Sequence, residues 1–265
     1  DLLHWEEIQR ISIEGEAECP DIFPLCADGD SKKRKWIISG ASHIYIVCEY
    51  KNGRFEQIQA PRRLNYGSHH YAAQSFFGMS DGRRIAMAWH RSLDFPRASF
   101  NGEMSLPFEL TLRSRGEEFD LCALPIGEID RLCEENQILR RQEIAAGEAL
   151  ELPLSPAAYR IRLNLGTAPS VLTLELFGQA IRIDGKKNTV TVGENSFPLS
   201  VDESDRRLTV IVDCCSAELF AGDGQAIMTA AMLCDYNISR LVLSSDSSLI
   251  LPSLEVTKLL PTKKL

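Results

Sequence analysis

In Tyr159-Arg160-Ile161-Arg162-Leu163-Asn164-Leu165, apolar and polar residues alternate without a break, and this stretch decides the fold class. A period of two is typical of a β-strand with one buried face and one solvated face. The pattern returns in residues 172–176, 180–183 and 208–213, with turn-forming glycines between the segments. Strands that recur about every ten residues favour a β-sandwich, which we predict for residues 145–265.

Shorter strand-like segments, richer in aromatic residues and turns, occupy residues 1–124. They are residues 36–39, 44–50, 71–77, 84–89 and 110–113. Between the two regions, Ile129, Leu132, Cys133 and Ile138 recur at helical spacing. This predicts a connecting helix over residues 126–139, within a linker that spans residues 125–144. The fold class predicted is therefore all-β, with one helix as a connector.

The composition excludes several classes of partner. Hydrophobic residues make up 44% of the 265 residues, enough for a sizeable core. The net charge is −8, from 29 basic and 37 acidic residues, so we expect neither a nucleic-acid partner nor attraction to an anionic membrane. No apolar run approaches the roughly 20 residues that span a bilayer.

The cysteines indicate a reduced compartment. None of the 8 cysteines forms a CxxC pair, and no histidine spacing fits a zinc site. Cys214 and Cys215 are adjacent, and on a strand they would point to opposite faces. We therefore expect a cytoplasmic protein without disulfides. No signal-peptide pattern is present, and because the chain starts at Asp1 we expect its natural N-terminus to be missing.

One carboxylate stands in a chemically suggestive context, in Glu18-Cys19-Pro20-Asp21-Ile22-Phe23-Pro24-Leu25. Glycoside hydrolysis needs a carboxylic acid to protonate the leaving oxygen, and an apolar wall beside a glutamate suits that task. Taken alone, Glu18 reads as one solvated charge among Glu14, Glu16 and itself.

Five further segments change that interpretation. In chain order, they are Arg34-Lys35-Trp36-Ile37-Ile38-Ser39, Tyr66-Gly67-Ser68-His69-His70-Tyr71-Ala72-Ala73-Gln74-Ser75-Phe76, Arg83-Arg84-Ile85-Ala86-Met87-Ala88-Trp89, Gly102-Glu103-Met104-Ser105-Leu106-Pro107-Phe108-Glu109-Leu110-Thr111-Leu112 and Val212-Asp213-Cys214-Cys215-Ser216-Ala217-Glu218-Leu219-Phe220. Together and in this order, they resemble glycoside hydrolase family 32, which includes invertases, levanases, inulinases and sucrose-phosphate hydrolases.

The resemblance implies a fold and a mechanism. Members of the family have a five-bladed β-propeller followed by a β-sandwich, and they cleave β-fructofuranosides with retention. An aspartate is the nucleophile and a glutamate is the acid/base, and the family's Glu-Cys motif corresponds to Glu18-Cys19. The resemblance implies no metal and no organic cofactor, and its partner would be a fructose-containing sugar or fructan.

The chain departs from the family in its front part. The nucleophile motif of Trp-Met-Asn-Asp-Pro-Asn-Gly type and the Arg-Asp-Pro motif are both absent from the sequence. At about 40 to 45 residues a blade, residues 1–124 supply roughly the last three blades of an incomplete propeller. We therefore expect an N-terminally truncated chain that lacks its nucleophile and is inactive alone.

Two departures lie inside the matched region. His69-His70 stand where the family usually has Asp-Phe before Tyr-Ala, which affects substrate contacts near Tyr71. Phe108 stands where the family usually has Arg before Glu-Leu, which affects domain packing.

Two other carboxylates are alternatives for the nucleophile. A retaining pair needs carboxyl groups about 5 to 5.5 Å apart. Asp21 lies three residues from Glu18, so on an extended strand it would face the other way and cap the strand start. Asp94 is a looser alternative.

The predicted site comprises Glu18 as the catalytic residue, with Cys19, Tyr71, Gln74 and Trp89 in substrate binding. Tyr71 and Trp89 end strands beside polar loops, and Gln74 could hydrogen-bond sugar hydroxyls. We expect Trp36 in the core and His90 on the surface; an alternative for His90 is a sugar subsite.

A second hypothesis belongs to another class. The chain would be a non-catalytic, carbohydrate-binding or structural remnant whose sandwich binds a glycan or a partner. An incomplete propeller exposes strand edges, which favour pairing with the missing N-terminal segment or with a second copy.

Overall fold

A computed structural model describes residues 3–91, 100–166, 169–199 and 205–261. Within these ranges the chain is almost entirely β-structure, as predicted, with four antiparallel sheets and two short 3-10 helices. None of the helices in the described ranges is long and apolar enough to cross a membrane.

The first part of the chain builds two five-stranded sheets, here called the front sheets. Their strands are β1 (Asp21–Cys26), β2 (Arg34–Ser39), β3 (Ile44–Lys51), β4 (Arg54–Gln57), β5 (Arg62–Arg63), β6 (His70–Ser75), β7 (Arg84–His90), β8 (Glu103–Met104), β9 (Phe108–Arg115) and β10 (Glu118–Pro125). One sheet has the order β1-β2-β3-β4 with β5 on β3, and the other has the order β6-β7-β9-β10 with β8 on β7. A 3-10 helix, Ser31–Lys33, links β1 to β2.

The described residues thus form two sheets where the sequence predicted about three blades. In the structure, the described residues before β1 contribute only the isolated bridge between Ile13 and Glu16. The Glu16 carboxylate accepts hydrogen bonds from the backbone N–H groups of Ser42 and Ile44, so this segment is fastened to the first sheet.

The remainder of the chain forms two six-stranded sheets, here called the near layer and the far layer. The near layer has the order β11-β22-β13-β18-β19-β20, and the far layer has the order β12-β21-β14-β15-β16-β17. Their strands are β11 (Cys133–Ile144), β12 (Ala149–Pro153), β13 (Ala158–Asn164), β14 (Leu172–Leu176), β15 (Gln179–Asp184), β16 (Thr189–Val192), β17 (Asn195–Pro198), β18 (Arg207–Val212), β19 (Ser216–Ala221), β20 (Ala226–Ala231), β21 (Arg240–Ser245) and β22 (Leu249–Leu259).

Alternation explains how the two layers pack. On β13, Ile161 and Leu163 are buried against the far layer, whereas Arg162 between them is exposed on the opposite side. On β14, Leu172, Leu174 and Leu176 return the contact. The alternating stretches therefore form the strands predicted for them, and their apolar faces meet in one core.

The predicted connecting helix over residues 126–139 is wrong. A 3-10 helix, Gly127–Leu132, is followed at once by β11, which pairs with β22 from Cys133 to Ile144. β11 is an edge strand with most of its side chains in solvent, so it lacks the apolar face that identifies a half-buried strand. The apparent helical face is divided: Ile129 is buried, but Ile138 is half exposed.

The front sheets and the near layer share a hydrophobic core. Phe108 and Leu110 of β9 pack with Ile211, Phe220 and Ile227 of the near layer. A parallel bridge between Asn65 and Ile227 reinforces this junction. The junction is also close at the backbone: a Cβ on Gly67 would lie 1.8 Å from the carbonyl oxygen of Thr229. The two halves of the chain are therefore packed together rather than strung on a linker.

Cys214 and Cys215 do not lie on a strand, contrary to expectation. They occupy the turn between β18 and β19, where their Sγ atoms are 3.5 Å apart. The strict alternation of side chains applies only within a strand, so the two thiols share one side of the turn.

Candidate active site

Glu18 lies three residues before Asp21, where β1 begins. Its backbone carbonyl accepts a hydrogen bond from the N–H of Ala41 at 3.0 Å. The carbonyl of the next residue, Cys19, accepts one from the Gln74 side chain at 2.8 Å. Cys19 has a positive φ of 48°, so the chain turns sharply here before it enters β1. Contacts to both sheets therefore fix the backbone beneath the Glu18 side chain.

The Glu18 carboxylate is oriented by a tyrosine. Tyr71 on β6 donates its hydroxyl hydrogen to Glu18 Oε2 at 2.6 Å. This hydrogen bond raises the pKa of Tyr71, because it stabilises the protonated phenol that donates to the Glu18 carboxylate. The second oxygen, Glu18 Oε1, has no hydrogen-bond partner among the described residues, and the side chain is exposed. One oxygen is thus held while the other faces solvent.

A cation holds the tyrosine ring in turn. The guanidinium carbon of Arg91 lies 3.8 Å from the centroid of the Tyr71 ring. Arg91 is itself fixed by its N–H, which donates to the carbonyl of His69 at 2.8 Å. Stacking of this kind restricts both side chains. The sequence offered no signal for Arg91, since a cation–π contact across two strands leaves no local pattern.

A β-bulge brings the predicted substrate-binding residues to one side. Tyr71 pairs with Trp89, but Gln74 pairs with Met87, so β6 holds one residue more than β7 across this interval. Ala72 within the bulge has a φ of 51°. In a regular strand, Tyr71 and Gln74 would face opposite ways; the extra residue places both on the side that carries the half-exposed Trp89.

The structure therefore gathers the predicted site residues Glu18, Cys19, Tyr71, Gln74 and Trp89 at one exposed location. Their catalytic and substrate-binding roles stay predictions. Among the described residues, no group of three or more histidine, cysteine or acidic side chains is placed to hold a metal ion.

The two alternative carboxylates are elsewhere engaged or not described. Asp21 Oδ2 accepts a hydrogen bond from the backbone N–H of Ser75 at 2.7 Å, so Asp21 ties the start of β1 to the end of β6. This agrees with the capping role expected for it. Asp94 lies outside the described residues.

Trp36, expected in the core, is partly buried. Its ring packs edge-on against Phe55 at 5.4 Å between centroids and is partly buried with Ile46 and Cys48. His90, expected on the surface, is instead 1% exposed. It neighbours Trp89 on β7 and therefore points to the opposite face, into the junction with the near layer.

His90 belongs to a buried row of titratable groups that sequence reasoning missed. It pairs in register with His70, whose Nε2 lies 3.0 Å from Nδ1 of His43. On its other side, His90 Nδ1 lies 3.0 Å from Glu103 Oε1, and Nε2 lies 3.8 Å from Glu218 Oε1. Burial lowers the pKa of His43 to about 4 and raises the pKa of Glu218 to about 7.

The two departures from the family pattern meet in this row. Phe108 packs edge-on against His43, with ring centroids 5.6 Å apart, and lies 6.2 Å from His70. The apolar Phe108 ring lies beside neutral imidazoles. Phe108 stands in place of the family's Arg and His70 in place of its Phe, so both departures belong to the same buried contact. Both residues are buried, and His70 directly precedes the site residue Tyr71 in the sequence.

Comparison of the sequence with known proteins identifies its relatives. Residues 1–123 match the family model described as "Glycosyl hydrolases family 32 N-terminal domain". A levanase of Bacillus sp. (strain L7) is 27% identical over 83% of this chain and 29% of its own length. A probable sucrose-6-phosphate hydrolase of Psychromonas ingrahamii is 30% identical over 86% of this chain and 45% of its own length. The chain thus spans less than half of either relative.

The fold resembles solved structures of the same kind. The exo-inulinase from Aspergillus awamori matches 93% of this chain and 57% of its own, with a TM-score of 0.75 and 16% identity. A mutant of the Bombyx mori β-fructofuranosidase in complex with sucrose matches 99% of this chain and 60% of its own, with a TM-score of 0.72 and 21% identity. The resemblance to glycoside hydrolase family 32 that the motifs predicted is therefore confirmed.

Proposed function

We propose that this chain carries the acid/base half of a retaining β-fructofuranosidase, acting on sucrose, levan or inulin in the whole protein. The observation that carries the proposal is the Glu18 carboxylate, with Oε2 bound by Tyr71 and Oε1 free toward solvent. An acid/base residue needs this combination, because one oxygen must be positioned while the other exchanges a proton with substrate.

The proposed reaction follows the two-step scheme of retaining glycosidases. Protonated Glu18 donates its proton from Oε1 to the glycosidic oxygen while an aspartate attacks the anomeric carbon and forms a fructosyl ester. Glu18, now ionised, takes a proton from water, and that water hydrolyses the ester. The family's nucleophile motif does not occur in the 265 residues, so we assign the aspartate to another segment of the whole protein.

The surroundings of Glu18 support the assignment of substrate contacts. The half-exposed Trp89 presents an apolar surface beside Tyr71, against which a fructose ring could lie. Gln74 is exposed, but its side-chain amide already donates to the carbonyls of Cys19 and Ala73. Its contribution to sugar binding would therefore come from Oε1 as an acceptor. Cys19 contributes its backbone at the same place.

We extend the proposal to the architecture. The front sheets would be blades of the family's propeller, with β1 and β6 as inner strands that carry the site. The near and far layers would be its β-sandwich. Tyr71 lies on the first strand of one sheet and Glu18 lies just before the first strand of the other, and the contact between their side chains supports this arrangement.

The experiment is substitution of Glu18 in the whole protein. Glu18→Gln keeps the side-chain shape and the acceptor for Tyr71 but cannot exchange a proton. We expect kcat on sucrose or levan to fall by about 10²- to 10⁴-fold, the usual contribution of general acid–base catalysis. Glu14→Gln, an exposed glutamate of the same segment, serves as the matched control and should stay close to the parent.

Near-normal turnover by the Glu18→Gln protein would contradict the assignment. A second test uses the chain itself: the 265 residues alone should not hydrolyse sucrose. Clear hydrolysis by the purified chain would refute the proposal that the nucleophile lies elsewhere.

A further inference from the structure

A second polar site lies on the side of the near layer that faces the front sheets. Registers across β11, β22, β13 and β18 align Arg140 with Ser253, Asn164 and Arg207, and align Ile138 with Glu255, Arg162 and Thr209. Arg160 stands two residues from Arg162 and points to the same side. Four arginines from three strands therefore share one face of one sheet.

A cleft of about 510 Å³ covers these arginines. Its wall opposite the sheet is the end of β10 and the 3-10 helix Gly127–Leu132, and its floor includes Arg140, Arg160, Arg162 and Arg207. This volume lies within the range of small-molecule sites in proteins. The cleft belongs to neither the Glu18 site nor the buried histidine row.

The four arginines of the cleft differ in whether an acidic side chain pairs with them. Arg160 is paired with Asp130, and Arg162 lies 3.5 Å from Glu255. Arg207 is bound by Asp205 and Asp223. Arg140, in contrast, has no acidic partner among the residues that the structure describes. Four acids thus pair with Arg160, Arg162 and Arg207, and Arg140 is the arginine of the lining without one in the described residues.

Arg160 carries the second, independent observation. The residue is only 5% exposed, and its guanidinium donates through Nη1 to Asp130 and through Nη2 to the Cys133 sulfur. Its Nε–H is buried and lacks a hydrogen-bond partner within the described ranges. A buried donor without an acceptor costs free energy, so a group that supplies an acceptor would be favoured here.

We infer that this cleft binds a small anion of the phosphate type, either inorganic phosphate or a phosphate monoester of a sugar. Guanidinium groups donate two parallel hydrogen bonds to tetrahedral oxyanions. Arg140 on β11 and Arg162 on β13 line the cleft from the two sides of β22. Asn164 and Ser253 add neutral donors between them. The inference does not depend on the function proposed for Glu18.

Thermal unfolding of the chain tests the inference without any assay of activity. Phosphate and fructose 6-phosphate should each raise the midpoint of unfolding, by an amount that grows with ligand concentration. A larger effect of the monoester would identify the sugar phosphate as the ligand, and equal effects would identify the free anion; both outcomes support the site. Sodium chloride at the same ionic strength is the control for screening.

Arg140→Gln is the decisive variant, because Arg140 is exposed and bound to no acid in the described structure. We expect it to weaken phosphate binding by about tenfold, the contribution of one charge-assisted contact. Arg182→Gln is its matched control: Arg182 is an exposed strand arginine on β15 of the far layer. Phosphorus NMR line broadening of the phosphate signal gives the same comparison for folded protein at one temperature.

Three results would overturn the inference. They are no phosphate-dependent stabilisation at millimolar concentration, equal stabilisation by sodium chloride, and equal binding by the Arg140→Gln and Arg182→Gln proteins.

Discussion

The hydrogen bond from Tyr71 to Glu18 sets the geometry of the candidate site at the scale of single residues. Tyr71→Phe removes the hydroxyl and leaves the ring under Arg91, so only the contact at 2.6 Å is lost. Hydrogen bonds to charged groups contribute about 1.5 to 3 kcal/mol, which corresponds to about a 10- to 100-fold loss in kcat of the whole protein. Steady-state kinetics on sucrose or levan measures this loss.

Tyr50→Phe is the matched control. Tyr50 is half exposed and packs on Phe55 at 4.7 Å, and its hydroxyl makes no hydrogen bond in the described structure. Equal kinetics for the two variants would remove Tyr71 from any role in positioning Glu18.

The same scale shows which site residues sequence reasoning could find. Glu18, Tyr71, Gln74 and Trp89 sit in ordered motifs, so the resemblance located them. Their convergence on one side depends on the bulge at Ala72, a non-glycine residue with positive φ that no local pattern marks. Arg91 was missed for a similar reason, because its contact with Tyr71 exists only when β6 and β7 pair.

At the scale of elements, Glu218 on β19 makes the stability of the junction depend on pH. It accepts a hydrogen bond from the N–H of Leu106 at 2.6 Å, and burial raises its pKa to about 7. Since the folded chain then binds a proton that the unfolded chain releases near pH 4.5, stability from this group is complete below about pH 4.5 and is lost by about pH 7.

Glu218→Gln removes this titration. The free energy of unfolding of the variant, relative to the parent, should rise by up to about 3 kcal/mol between pH 4.5 and pH 7. Urea unfolding at several pH values measures it, with Glu175→Gln, an exposed glutamate on β14, as the control. A difference that does not change with pH would show that Glu218 titrates normally.

The histidines oppose this trend. Burial lowers the pKa of His43 to about 4 and that of His70 well below its usual range. Their stabilising contribution is present above the unfolded value near 6.5 and is lost as the pH falls toward the folded value. The Glu218→Gln protein and its parent both contain His43 and His70. The difference between their free energies of unfolding therefore isolates the contribution of Glu218.

The sequence predicted best the strands that have one buried and one exposed face. β13 and β14 each have a buried and an open face, so alternation located both nearly to the residue. β11 failed because most of its side chains are exposed along an edge, and a polar strand has no period to detect. Its pairing with β22, more than 100 residues later in the chain, is a tertiary property.

At the scale of the whole molecule, backbone contacts join the front sheets to the near layer. Gly224 has a φ of 87°, and a Cβ there would lie 2.0 Å from the carbonyl oxygen of Ala123. Gly224→Ala must therefore push β10 away and weaken the hydrogen bond from the Ala123 N–H to the Gly224 carbonyl, now 2.9 Å long. We expect the free energy of unfolding to fall by at least about 2 kcal/mol more than the cost of placing alanine at a positive φ.

Gly53→Ala isolates that strain. Gly53 has a φ of 78°, but a Cβ there would meet nothing within 4 Å. Urea unfolding of both variants gives the difference. Equal destabilisation would mean that the junction is looser than the structure indicates.

The prediction of a front and a rear region rests on strand pattern, but the sequence gives no sign of the junction between them. Strand aromatics and alternating stretches identify the two regions separately. The core that Phe108 shares with Ile211 and Phe220 joins residues about a hundred positions apart, and the buried His43–His70–His90 row forms only when the front strands pack together. The departures at His70 and Phe108 therefore acquired a physical explanation only when both were seen in contact.

The central claim is that Glu18 protonates the leaving group, and the dependence on leaving group tests it most directly. The measurement is kcat/KM of the whole protein and its Glu18→Gln variant on sucrose and on fructosyl fluoride, since kcat/KM reports the first step. Fluoride departs without a proton, so the variant should lose about 10²-fold or more on sucrose but less than about tenfold on the fluoride. Equal losses on both substrates, or no loss on sucrose, would contradict the account.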